Sequence, residues 1–129
     1  MNPESYSPEN ARRTFVEKLK TKEGVSEEFR EAQYQIEHIL GLKLSNIELV
    51  GLRTITEKVC AEALQQESAI LEGAKGSDSN FWSFKEICER FLLEFYGIAP
   101  GGMVKLADEY DPDDLKEFFR RKQESLHLP

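Results

Sequence analysis

The chain is poor in the residues that most often carry metal or nucleophilic chemistry. It contains two histidines and two cysteines in 129 residues. His38 and His127 lie far apart, and neither Cys60 nor Cys88 has a second cysteine nearby. Zinc sites usually contain closely spaced ligand pairs, and a serine or cysteine nucleophile needs a positioned base. We therefore expect no metal, no cofactor and no enzymatic activity.

Long apolar runs and targeting signals are also missing. No stretch approaches the roughly 18 apolar residues that indicate a transmembrane helix. The first ten residues, MNPESYSPEN, lack the apolar centre of a secretory signal. We therefore expect a soluble cytoplasmic protein without a membrane partner. In that compartment Cys60 and Cys88 would be reduced, and their apolar neighbours predict that both are buried.

Three patterns that bear on ligand binding fail in detail. Residues 108–114, DEYDPDD, lack the glycine that an EF-hand loop needs at its sixth position. The glycines of residues 73–79 and 100–103 do not match a phosphate-binding loop and follow no buried strand. Glu124 and His127 have Glu-x-x-His spacing, but a metal site in a helical bundle needs a second such pair. None of the three patterns predicts a ligand site.

The charge is negative overall and unevenly distributed. The formal net charge is −7. Residues 1–22 carry five basic and three acidic side chains, whereas residues 23–97 carry seven basic and fourteen acidic side chains. An acidic body repels nucleic acid over about one Debye length, ~8 Å at physiological salt. We therefore expect a partner other than nucleic acid.

The clearest helix signal covers residues 82–97, WSFKEICERFLLEFYG. Ser83 and Glu86 have the spacing of a capping box, which predicts that the helix begins there. Gly97 stands where a left-handed residue closes a helix. Between these ends, apolar residues recur on one face at helical spacing; they are Phe84, Ile87, Cys88, Phe91, Leu92 and Phe95.

The remaining sequence predicts an all-α fold, a compact bundle of about five helices. The other helices are expected at residues 7–22, 26–41, 46–72 and 111–122, the third being long and central. Leu42-Lys43-Leu44 would be a short bridge, and residues 103–107 at most one helical turn. Residues 1–6 are expected to be a flexible tail, residues 73–80 a flexible loop, and residues 7–129 one helical domain.

Aromatic residues suggest a function. The chain has eight phenylalanines and four tyrosines, and several large apolar residues flank the predicted core stripe. Aromatic and methionine side chains are enriched at protein interfaces. We therefore predict a small acidic, non-enzymatic protein-interaction module, an adaptor, assembly factor or regulator. Its partner would be another protein, or a second copy of the chain, and its contact residues would be Phe81, Trp82, Met103 and Tyr110.

The alternative is a nucleic-acid-associated regulator that uses basic terminal helices. If the two ends of the chain lay together, their basic residues would merge into one face. The residues of this alternative face are Arg12, Arg13, Arg120, Arg121 and Lys122.

Overall fold

The structure, a computed structural model, describes residues 8–72 and 79–126. Every regular element in these residues is an α-helix, so the predicted all-α class is confirmed. The predicted tail at residues 1–6 and most of the predicted loop at residues 73–80 lie outside the described residues. The seven helices in the described part are α1 (Pro8–Leu19), α2 (Lys22–Leu40), α3 (Asn46–Gln65), α4 (Glu67–Leu71), α5 (Ser79–Tyr96), α6 (Gly102–Glu109) and α7 (Pro112–Ser125).

The described residues form seven helices, whereas about five were expected. One additional helix arises because the predicted helix at residues 46–72 is divided in two, and the other lies in the segment that was expected to form at most one turn. The predicted helix at residues 46–72 breaks at Gln66, whose φ and ψ are −105° and 22°, and α4 follows. Gly51 lies inside α3. A Cβ there would lie 2.2 Å from Cζ of Phe95, so a glycine allows α5 to approach closely. The segment at 103–107 belongs to the two-turn helix α6.

Two helix starts differ from the sequence prediction. Helix α2 begins at Lys22 rather than at residue 26, because Thr21 caps it by accepting a hydrogen bond from the Gly24 N–H at 2.9 Å. Gly24 lies inside that helix, where a Cβ would meet the Lys18 carbonyl. Helix α5 begins at Ser79, so Ser83 is an interior residue and not its N-cap.

The left-handed helix end predicted at Gly97 is confirmed, and other helix ends and turns also follow local residue preferences. Gly41 and Gly97 adopt the left-handed conformation after α2 and α5, with φ of 71° and 67°. Gly101, with φ of 82° and ψ of −8°, is the third residue of a type II turn, in which the Gly102 N–H donates to the Ala99 carbonyl at 2.8 Å. Asp111 caps α7 by accepting from the Asp114 N–H at 2.9 Å.

The core of the bundle lies between α2, α3 and α5. The start of α3 meets the end of α5 where Glu48 contacts Tyr96, and its end meets the middle of α5 where Glu62 pairs with Arg90 at 2.6 Å. These two helices are therefore antiparallel. Phe119 of α7 closes the main core at one end. At the other end α1 and α4 cover a second cluster, formed by Phe15, Val16, Leu19, Cys60, Ala63 and Ile70.

A carboxylate is buried at the start of α3. Glu48 has no exposed surface, and it accepts hydrogen bonds from the Ser45 N–H at 3.0 Å and the Ser45 hydroxyl at 2.8 Å. The Tyr96 hydroxyl donates to its other oxygen at 2.6 Å, and Gln123 Nε2 of α7 donates at 2.8 Å. One carboxylate thus joins α3, α5 and α7.

We predict that Phe91→Ala lowers the free energy of unfolding by about 3–5 kcal/mol, because it removes a fully buried ring from the main core. Leu93→Ala is the matched control on the same helix, since Leu93 is 53% exposed. It should change stability by less than about 1 kcal/mol. Urea denaturation of both variants measures the difference, and equal losses would show that the face of α5 is wrongly assigned.

We also predict that Tyr96→Phe lowers the free energy of unfolding by about 1.5–3 kcal/mol, because a buried carboxylate oxygen loses its donor. The control is Tyr34→Phe, which removes the hydroxyl of a tyrosine that is 67% exposed. That change should stay within about 0.5 kcal/mol. A Tyr96→Phe protein as stable as the control would contradict the buried network.

Candidate functional site: the Met103 groove

The four predicted contact residues are distributed along α5 and α6. Phe81 and Trp82 belong to the first turn of α5, and their side chains lie outside the described residues. Met103 is half-buried at the start of α6. Tyr110 directly follows α6 and is 39% exposed. Met103 and Tyr110 line two different surface depressions, so the structure does not bring them into one pocket.

The depression at Met103 is an apolar groove between α2 and α5, of about 360 Å³. We call it the Met103 groove. Helix α2 supplies one wall and α5 the other, and the chain between α5 and α6 closes one end. Its lining residues are Gln35, Ile39, Lys85, Cys88, Glu89, Leu92, Ile98, Ala99, Pro100, Gly101 and Met103.

Two reversals of the chain build the closed end of the groove. After α5, the left-handed Gly97 allows the backbone to turn, and its N–H donates to the Leu93 carbonyl at 3.1 Å. Ile98 is then buried in the main core. The type II turn at Pro100 and Gly101 directs the chain into α6. These two turns bring Ala99 and Met103 into the lining of the groove, together with residues of α2.

The lining of the groove is mostly apolar, with Gln35, Lys85 and Glu89 as its polar side chains. Cys88, Leu92 and Ile98 are buried members of the main core, and they form an apolar floor. Lys85 and Glu89 are separated by one turn of α5 and pair at 3.9 Å. A recess of this kind can hold apolar side chains of another molecule, because filling it removes apolar surface from water.

The second depression, at Tyr110, has a different chemistry. The Tyr110 ring stacks on Phe118 with centroids 5.9 Å apart, and Lys122 Nζ lies 5.7 Å from the Phe118 ring centroid. The space of about 560 Å³ is also bordered by Glu117 and Arg121, so its edge carries both signs of charge. It is a charged surface of α7 rather than an apolar recess.

The basic residues of the alternative face fall into two separate groups. Helix α1 packs beside Cys60 near the end of α3, whereas α7 reaches Glu48 at its start. The rise of an α-helix puts those two positions roughly 18 Å apart. The terminal helices therefore contact opposite ends of α3 and do not merge their charges. On α1, Arg12 Nε donates to the Leu71 carbonyl at 3.4 Å, and Arg13 is exposed.

On α7 the two arginines of this face, Arg120 and Arg121, are already paired within the helix. Arg120 forms ion pairs with Glu117 and Glu124, and Arg121 Nε donates to Glu117 at 3.2 Å. The hydrogen bond from Arg120 lowers the pKa of the Glu117 carboxyl to about 2, and Arg121 adds to this effect. These pairs reduce the positive charge that α7 presents to a polyanion.

The two cysteines are buried free thiols in separate clusters. Cys60 lies in the cluster under α1, and Cys88 lies in the main core at the floor of the Met103 groove. Burial raises the pKa of both thiols to about 12, and nearby glutamates add to the shift. Both are therefore neutral at physiological pH, and neither carries the thiolate of a reactive cysteine.

Within residues 8–72 and 79–126, His, Cys, Asp and Glu side chains form no group of three that could hold a metal ion. Among the helices of the same part of the chain, none combines the length and the apolar character needed to cross a bilayer.

Sequence reasoning missed two features of this end of the molecule. The groove needs Ile39 of α2 and Ala99, and no pattern in the sequence brings these two residues together. Glu48 had a usable signal, because Ser45 and Glu48 have the Ser-x-x-Glu spacing of a capping box. That spacing indicates a helix start, and the burial of the carboxylate depends on Tyr96 and Gln123.

No protein family, curated protein or solved structure matches this chain. Its function must therefore be inferred from its own surfaces, of which the Met103 groove is the most apolar depression described above.

We predict slow thiol labelling with a characteristic pH dependence. Since both pKa values are about 12, the native rate should rise about tenfold per pH unit from pH 7 to beyond pH 9. The urea-unfolded chain should level off above the ordinary thiol pKa of about 8.5. Peptide mapping by mass spectrometry distinguishes the two sites, and Cys88 should react before the more buried Cys60. Native labelling as fast as that of the unfolded chain would contradict burial.

Proposed function

We propose that the protein is a small, non-enzymatic interaction module of the cytoplasm that binds another protein through the Met103 groove. It would act as an adaptor, assembly factor or regulator. The observation that supports this proposal most strongly is the apolar groove of about 360 Å³ on the surface of an otherwise charged bundle. Grooves of this kind mark ligand or protein interaction sites more often than ordinary surface.

The residue types around the groove support a protein partner. Met103 and Ile39 are partly accessible apolar side chains at its edge, and methionine adapts well to varied apolar surfaces. Phe81 and Trp82 lie in the first turn of α5, one turn before the groove residue Lys85. An interface of this composition, apolar at its centre with charges at its rim, is typical of protein–protein contacts.

The nucleic-acid alternative receives less support. It requires the basic residues of α1 and α7 to act together, and these helices contact opposite ends of α3. Arg120 and Arg121 are also paired with glutamates of their own helix.

We predict that Ala99→Arg weakens partner binding at least about tenfold. Ala99 is exposed and lines the groove, so the new side chain blocks it without removing a core contact. Ala107→Arg is the matched control, because it adds the same charge at an exposed position of α6 that does not line the groove. Both variants should keep the wild-type melting temperature.

The measurement has two stages. Immobilised wild-type protein and both variants are exposed to lysate of the native cell, and bound proteins are quantified by mass spectrometry. A protein held by the wild type and by Ala107→Arg but lost by Ala99→Arg is then purified and titrated directly. If each partner that binds the wild type binds Ala99→Arg equally well, the groove is not the binding site. Retention only of nuclease-sensitive nucleic acid would favour the alternative function.

A further inference from the structure

The size and the charge of the Met103 groove narrow the kind of partner that fits it. We propose that the groove binds an amphipathic helix of the partner protein that carries two apolar anchors and basic flanking residues. This inference rests on the proposed function and specifies its partner.

The volume of the groove sets the number of anchors. A protein cavity of about 150 Å³ can hold one benzene molecule. The Met103 groove, at about 360 Å³, is therefore large enough for about two large apolar side chains. On a helix, side chains at positions i and i+4 lie on the same face about 5–6 Å apart, so two such residues can enter one groove together.

The walls of the groove favour a helix over an extended strand. Gln35 and Ile39 are one turn apart on α2, and Lys85, Glu89 and Leu92 follow each other on α5 at helical spacing. Two helices side by side present a surface into which the side chains of a third helix pack. A peptide that binds by adding a β-strand would instead need an unpaired strand edge, and the described residues contain no strand.

The two helices that form the walls of the groove are both acidic overall. Helix α2 carries five acidic and two basic side chains, and α5 carries three acidic and two basic ones. Glu31 is exposed one turn before the groove residue Gln35, and Glu89 lies on the rim itself. Lys85 is the basic group on the lining, and it pairs with Glu89. Positive residues beside the anchors would meet Glu31 and Glu89, and complementary charge accelerates association and selects the partner.

Three synthetic helical peptides test the inference with the full chain. The first has Leu and Phe at i and i+4 with Lys and Arg around them. The second has the same anchors with Glu in place of each basic residue. The third keeps the basic residues and has Ser in place of both anchors. Each is labelled and titrated by fluorescence anisotropy at low and at physiological salt.

We expect the first peptide to bind at least about tenfold more tightly than either of the others. Ala99→Arg should remove this preference, and Ala107→Arg should leave it unchanged. A Glu31→Gln, Glu89→Gln double variant should bind the first peptide several-fold more weakly and with less dependence on salt, because an exposed carboxylate of α2 and a half-buried carboxylate of α5 are neutralised.

Each contrary result has a distinct meaning. Equal binding of the first and second peptides, with loss in Ala99→Arg, would overturn the basic-helix inference and leave the groove as the binding site. Binding of the first peptide that Ala99→Arg does not change, or no binding of any peptide at millimolar concentration, would also overturn it. Analytical ultracentrifugation of the wild type and of Ala99→Arg tests for self-association. A dimer that Ala99→Arg abolishes would show that the groove binds a second copy of this chain. The proposed function itself fails only if partner capture by Ala99→Arg equals that of the wild type.

Discussion

The carboxylate of Glu48 constrains the end of the bundle at which the groove is formed. It is fully buried, and it accepts hydrogen bonds from the cap of α3, from Tyr96 at the end of α5 and from Gln123 of α7. A buried charge without such donors is strongly destabilising, so the three segments must keep their positions together. Glu48 also lies in the first turn of α3, where the partial positive charge of the helix N-terminus favours a carboxylate.

The groove depends on this end of the molecule. Because Tyr96 is held by Glu48, the last turn of α5 is fixed, and the reversals at Gly97 and Gly101 start from a defined position. Burial, together with the hydrogen bond to Glu48, raises the pKa of the Tyr96 phenol, so Tyr96 stays a donor throughout the physiological range. The reversals then bring Ala99 and Met103 into the lining of the groove that Ile39 also borders. The hydrogen bond between Tyr96 and Glu48 thereby positions the apolar surface of the Met103 groove. That surface is the observation that supports the proposal of a protein partner.

Local chemistry was predictable from the sequence, and long-range packing was not. Four local features each depend on one or two residues whose backbone preferences are strong. They are the helix ends at Gly41 and Gly97, the turn at Pro100 and the helix cap at Asp111. The break at Gln66 carries no such signal, because glutamine is a good helix former; it lets Ile70 of α4 enter the cluster under α1. Within the candidate site, Met103 was identified from the sequence. The groove around it joins α2, α5 and residues 98–103, and only the tertiary structure brings these segments together.

A double-mutant cycle between Glu48 and Tyr96 tests the central claim most directly. The cycle compares the wild type, Glu48→Met, Tyr96→Phe and the double variant by urea denaturation. Both proteins that carry Glu48→Met leave the Ser45 and Gln123 donors unpaired, so this cost is common to them. The account predicts a coupling energy of about 1.5–3 kcal/mol, because removing the Tyr96 hydroxyl should cost little once its acceptor is gone. Additive effects, within about 0.5 kcal/mol, would show that this carboxylate does not hold α5 to α3.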